Sequence, residues 1–122
     1  MAKKILVADD EENILAVLEM RLKTKGYQVI TASDGETALQ KAKENQPDLI
    51  ILDVMMPPPN GFHVCRALKD DPKYKDTPII LLTAKSTESD KFWGMESGAD
   101  AYVTKPYNSE ELLNKITALL EK

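Results

Sequence analysis

Leu49-Ile50-Ile51-Leu52-Asp53 is the stretch from which the fold can be read. Four aliphatic side chains in unbroken succession leave no polar face to turn toward water, so the segment reads as a strand buried on both sides, as in a covered parallel sheet. Four more short runs accompany it: Ile5–Ala8, Gln28–Ala32, Ile79–Thr83 and Ala101–Thr104. Longer segments of helical period follow the runs in turn. Five rounds of this alternation predict a parallel α/β sheet with helices on both faces.

The helical segments carry their own signals. Ile14, Leu15, Val17, Leu18 and Leu22 form one apolar stripe, and Gly26 follows where a left-handed residue ends a helix. Ser33 with Glu36 is expected to make a capping box at the second helix, which Pro47 closes. A third helix is expected from about Phe62 to Leu68 and a fourth from about Ser89 to Ser97, the latter weakened by Gly94. Asn108 with Glu111 offers an N-cap to the last, whose buried face is Leu112, Leu113, Ile116, Leu119 and Leu120.

The chain has 122 residues, 43% apolar and 30% charged, so one soluble globular domain over residues 1–122 is expected. A net charge of −4 lacks the positive field that phosphate-backbone binding needs, which argues against direct nucleic-acid binding. No apolar run approaches the roughly 20 residues that span a bilayer. Cys65 is the one cysteine and has no disulfide partner in the chain, and no charged-then-apolar leader precedes Ile5-Leu6-Val7; the expected location is the cytoplasm.

Function is sought at the carboxyl ends of the strands, because open α/β sheets bind ligands there. The first strand runs into Asp9-Asp10, the third ends at Asp53, the fourth at Thr83, and the fifth is followed by Lys105-Pro106. Crowded carboxylates repel one another, and a divalent cation relieves that repulsion. An all-oxygen cluster without Cys or His suits a hard ion, and Mg2+ characteristically takes one or two carboxylates and leaves room for phosphate. Lys105 is placed to neutralise phosphoryl oxygens, and Thr83 to donate a hydrogen bond to one of them.

Taken singly, each residue has a plainer explanation. An Asp after a strand is often a helix N-cap, Asp53 before Pro57-Pro58-Pro59 is also a turn former, Thr is a good strand residue, and a lone Lys is usually solvated. Their joint arrival at one sheet edge is what those explanations leave out. His63 has no second His or Cys at ligand spacing, and Cys65 has no further His to activate it; a surface histidine and a packed thiol are the better readings. Phe92, Trp93 and Met95 are more simply the packing of a short helix than a partner-binding patch.

With those residues in view, the chain resembles the receiver domains of bacterial response regulators, the chemotaxis-type single-domain proteins being the simplest. The likeness is carried by Ile5-Leu6-Val7-Ala8-Asp9-Asp10-Glu11, by Asp48 through Pro57, by Leu82-Thr83-Ala84, and by Gly98-Ala99-Asp100-Ala101-Tyr102-Val103-Thr104-Lys105-Pro106, in that order and over essentially the whole chain. It implies a doubly wound, flavodoxin-like sheet of strand order 2-1-3-4-5. It implies that Asp53 accepts a phosphoryl group from a histidine kinase or histidine phosphotransfer protein. Asp10, Asp53 and the backbone carbonyl of Met55 would bind Mg2+, with Asp9 assisting through water. Thr83 and Lys105 would contact the phosphoryl group and Tyr102 would be the switch aromatic. Output to a target protein or attached domain would leave through the fourth helix, fifth strand and fifth helix, a face that also implies a monomer able to dimerise on phosphorylation. Such a domain assists its own phosphorylation and dephosphorylation without being a conventional turnover enzyme.

Some positions depart from the family pattern. Asn60-Gly61 stands where an acidic residue usually precedes the glycine, and Pro57-Pro58-Pro59 is an unusual loop. Lys85 and Met55 are positions that tune phosphoryl lifetime in such folds, and Lys91-Phe92-Trp93-Gly94 with Gly98-Ala99 resembles a segment of some motility regulators. Other chemistries fit less well. A flavin site would set Asp-Asp-Glu-Glu against a phosphate. A haloacid-dehalogenase-type phosphatase needs a second Asp where Met55 stands, and no Gly-x-x-x-x-Gly-Lys loop is present for an NTPase. The same fold working without phosphorylation is opposed by the retention of every site residue.

Overall fold

A computed structural model describes residues 2–83, 98–105 and 108–121. Five strands, β1 (Lys4–Ala8), β2 (Gln28–Ala32), β3 (Leu49–Asp53), β4 (Ile79–Thr83) and β5 (Ala101–Thr104), pair in parallel in the order β2-β1-β3-β4-β5. The expected strand order is thus observed. Every residue of β3 and β4 is buried, whereas the edge strands β2 and β5 keep partly exposed positions, as their order in the sheet requires.

Among the described residues three helices link these strands, α1 (Glu12–Thr24), α2 (Gly35–Asn45) and α3 (Gly61–Lys69), and a last helix spans Ser109–Leu120. Side chains alternate across the sheet and so divide the core in two. Leu6, Ile50, Leu52 and Leu81 pack with Ala38 and Ala42 of α2 and Val64, Cys65 and Leu68 of α3. On the opposite side, Ile5, Val7, Ile51, Ile80 and Leu82 pack with Leu15, Leu18 and Leu22 of α1 and with Leu112 and Ile116 of the last helix. Each fully buried Leu or Ile contributes about 1.5–3 kcal/mol relative to exposure, so the central strands hold the two layers together.

Local expectations meet mixed outcomes. Gly26 takes the left-handed conformation (φ 93°) after α1, and Asn108 caps the last helix by accepting from Glu110 and Glu111 backbone N–H groups at 2.9 and 3.2 Å. The cap of α2 is Asp34 instead of Ser33: its Oδ1 accepts from Thr37 N–H at 2.7 Å, because the helix starts one residue later than the capping-box reading placed it. Val17 is 45% exposed; with 100° per residue it stands about a third of a turn from the stripe formed by Leu15, Leu18 and Leu22. The expected fourth helix lies outside the described residues. No described helix is long and apolar enough to cross a membrane.

Candidate functional site

The register of the sheet brings the acidic residues together. Ala8 of β1 pairs with Leu52 of β3, which places Asp9 beside Asp53, each one residue further along its strand direction. A bond from Asp9 N–H to Ala32 carbonyl (3.1 Å) continues the ladder past β1, and a bond from Val54 N–H to Leu82 carbonyl (2.8 Å) does the same past β3. Carboxylate oxygens of Asp9, Asp10 and Asp53 lie within 4.8 Å of one another, with Asp9 and Asp53 buried and Asp10 exposed. His63 is exposed and Cys65 is buried within the core, outside this group.

Lys105 follows β5, where its N–H bonds the Thr83 carbonyl and thereby returns the chain to the end of β4. Its Nζ donates to Asp9 Oδ2 at 3.0 Å and lies 3.4 Å from Asp53 Oδ2. Asp9 Oδ1 accepts from Glu11 N–H at 2.9 Å, and Asp53 Oδ1 from Met55 N–H at 3.1 Å. The Asp9 carboxylate therefore serves the loop before α1 as well as the ion pair.

Among the described residues one ammonium faces three carboxylates, and the electrostatics show the imbalance. Burial raises the Asp53 pKa from 3.8 to about 6; the Met55 N–H opposes that rise, the charge of Asp9 adds to it and Lys105 partly offsets it. Burial acts against the Lys105 ammonium, yet the hydrogen bond to Asp9 and the charges of Asp53 and Asp9 outweigh it and raise its pKa. Hard oxygen donors, two of them buried, with negative charge in excess of one lysine, make a donor set that fits Mg2+.

Thr83 is buried at the end of β4, one residue past Leu82, the register partner of Asp53. Tyr102 pairs with Leu81, and Thr83 pairs with Thr104, so Thr83 and Tyr102 share the sheet face covered by α2 and α3. Tyr102 is partly buried against that core. The Met55 side chain is 59% exposed, so any buried role belongs to its backbone. Lys85, Phe92, Trp93 and Met95 lie outside the described residues.

Sequence reading missed what supports the loop between β3 and α3. Asn60 is the N-cap of α3, its Oδ1 accepting from His63 N–H at 3.0 Å. A Cβ on Gly61 would come 2.6 Å from the Asp53 carbonyl oxygen, so α3 can start against the end of β3 only through a glycine. The Asn before the helix was the available signal for the cap; the close approach of Gly61 had none.

A parallel sheet of this order, with acidic groups and a lysine gathered at its carboxyl edge, is the architecture of a two-component signalling receiver. The sequence matches the response regulator receiver domain family over residues 5–117, and the chain belongs to that family. It is 50% identical over 122 residues to the alkaline phosphatase synthesis transcriptional regulatory protein PhoP of Bacillus subtilis (strain 168), a match that takes in 100% of this chain and 50% of that protein. The chain thus spans half the length of that curated relative. Two solved structures share the fold over their full length and that of this chain: the BeF3-activated DrrB receiver domain (38% identity, TM-score 0.91), and the receiver domain of the sensor histidine kinase PA1611 from Pseudomonas aeruginosa PAO1, with a magnesium ion coordinated in its active site cleft (26% identity, TM-score 0.92).

Proposed function

We propose that residues 1–122 form one receiver domain that is switched by phosphorylation of Asp53, the donor being the phosphohistidine of a kinase or of a phosphotransfer protein. The observation that carries this reading is the meeting of Asp9, Asp10 and Asp53 within 4.8 Å at the strand ends with Lys105 between two of them.

In the proposed reaction an Asp53 carboxylate oxygen attacks phosphorus in line with the bond to the donor imidazole. The new P–O bond forms as the P–N bond breaks, and the departing nitrogen keeps the electron pair. Such a transfer needs positioning and charge neutralisation more than a dedicated base. The Met55 N–H holds Asp53 Oδ1, which leaves the carboxylate little freedom to rotate. Lys105, already 3.4 Å from Asp53 Oδ2, would neutralise phosphoryl oxygens, and Thr83 would donate a hydrogen bond to one. Asp10, Asp53 and the Met55 carbonyl would hold Mg2+, with Asp9 assisting through water; the ion would supply positive charge to the transferring group. The magnesium ion in the cleft of the PA1611 receiver supports this choice.

Output follows from charge. Phosphorylation replaces one negative charge by roughly two and adds strong acceptors, which draws Thr83 and Lys105 toward the new group. Tyr102, on the same sheet face as Thr83, would respond as the switch aromatic. The altered surface, which includes β5 and the last helix, would engage a target protein or output domain, or a second copy of an otherwise monomeric chain. The work is that of a switch in the cytoplasm, without substrate turnover and without direct contact to nucleic acid or membrane.

The test is to incubate the protein with Mg2+ and a small acyl-phosphate donor and weigh it intact. A phosphoryl adduct on the wild type that is absent from Asp53→Asn is the expected result. Equal adduct on both would refute the assignment of the acceptor.

A further inference from the structure

Gly35 opens α2, and a Cβ placed on it would overlap the carbonyl oxygen of Pro59 and lie 3.0 Å from both the carbonyl carbon and Cγ of that residue. The loop between β3 and α3 therefore rests, backbone on backbone, against the first turn of α2. Its other attachment is Gly61, whose Cβ would lie 2.9 Å from Val54 Cα. Between these two contacts runs the segment that carries Met55, itself bonded through its N–H to Asp53 Oδ1. Pro57, Pro58 and Pro59 each fix one backbone torsion, so a push on Pro59 is passed along the loop with little room to be absorbed.

We propose that Gly35 is a positioning residue for the metal-binding loop: by allowing Pro59 to sit directly on α2, it sets where Met55 and Asp53 stand relative to Asp9 and Asp10. This rests on the reading that Asp10, Asp53 and the Met55 carbonyl hold Mg2+. Alanine is ordinarily better than glycine within a helix, so a purely local effect of Gly35→Ala would be neutral or stabilising. Here the added methyl has to move Pro59, and the contact is with backbone that no side-chain rotation can clear.

The test is calorimetric titration of MgCl2 into metal-free wild type, Gly35→Ala, and Ile116→Val, a control in the core on the far side of the sheet. Displaced support around a metal site typically weakens affinity about 10–100-fold. Gly35→Ala is expected to bind Mg2+ at least about tenfold more weakly. Ile116→Val, even with a lower urea midpoint, is expected to bind as the wild type does. A second readout needs no variant: on adding Mg2+ to the wild type, the amide resonances of Gly35 and Glu36 should shift along with that of Met55. Wild-type affinity in a folded Gly35→Ala, equal weakening in Ile116→Val, or a Gly35 amide that stays still while Met55 moves would each overturn the proposal. A wild type that takes up no Mg2+ would overturn the metal site itself, a result distinct from any of these.

Discussion

Lys105 Nζ donates to Asp9 Oδ2 at 3.0 Å across 96 positions of sequence, an ion pair that ties the end of β1 to the residue following β5 over the carboxylate of Asp53. Asp9 is fully buried and the lysine side chain is 13% exposed, so the pair lies where charges are poorly screened.

Replacing Lys105 by Met removes the one cation held against Asp53 and Asp9 among the described residues. The Asp53 carboxyl, already at about 6, should then titrate higher, a change followed by carboxyl carbon NMR across a pH series in EDTA. Stability at pH 8 should fall by about 3–5 kcal/mol, because breaking a buried pair leaves uncompensated charge. Urea unfolding measures that loss.

Asp53→Asn should stabilise the metal-free protein. The folded pKa of about 6 lies above the ordinary 3.8, so the native state holds more protons than the unfolded chain between those values. The contribution of this group therefore falls as pH rises through about 4 to 6, and it stays unfavourable above that window. The variant should exceed wild type by about 1–3 kcal/mol at pH 7.5 in EDTA and by little at pH 4. Paired urea titrations at the two pH values check the sign.

Adding Mg2+ should work against that order. Saturation at a hundred times the dissociation constant stabilises a folded protein by about 2.7 kcal/mol, so the wild-type melting temperature should rise with MgCl2. Asp10→Asn should lose most of that rise. Because Asp10 is exposed, its metal-free stability should stay within about 0.5 kcal/mol of wild type.

Asn60→Ala should cost about 1 kcal/mol by removing the acceptor for His63 N–H, whereas Asn60→Asp keeps a capping oxygen and should retain stability. Thermal unfolding of the two variants separates a cap from a position that tolerates any residue.

Much of this was legible along the chain. Ile79-Ile80-Leu81-Leu82 announced a strand covered on both faces because no polar position interrupts it, and the structure buries all four. Asp9, Asp10, Asp53, Thr83 and Lys105 could be assigned to one sheet edge because all parallel strands end on the same side. The reading failed where adjacent residues compete for one local role. Ser33 and Asp34 are both capable caps, and only the start of the helix at Gly35 decides between them.

The sequence by itself determined the sheet, the described helices that cover it and the set of side chains at its carboxyl edge, since each follows from hydrophobic period and strand direction, which are properties of short segments. Tertiary structure alone decided that Lys105 pairs with Asp9 and reaches Asp53, that Asp53 is buried enough to lie near 6, and that Pro59 presses on Gly35. These depend on distances between segments remote in sequence, and no local pattern encodes how closely two backbones or two charges will approach once both are packed.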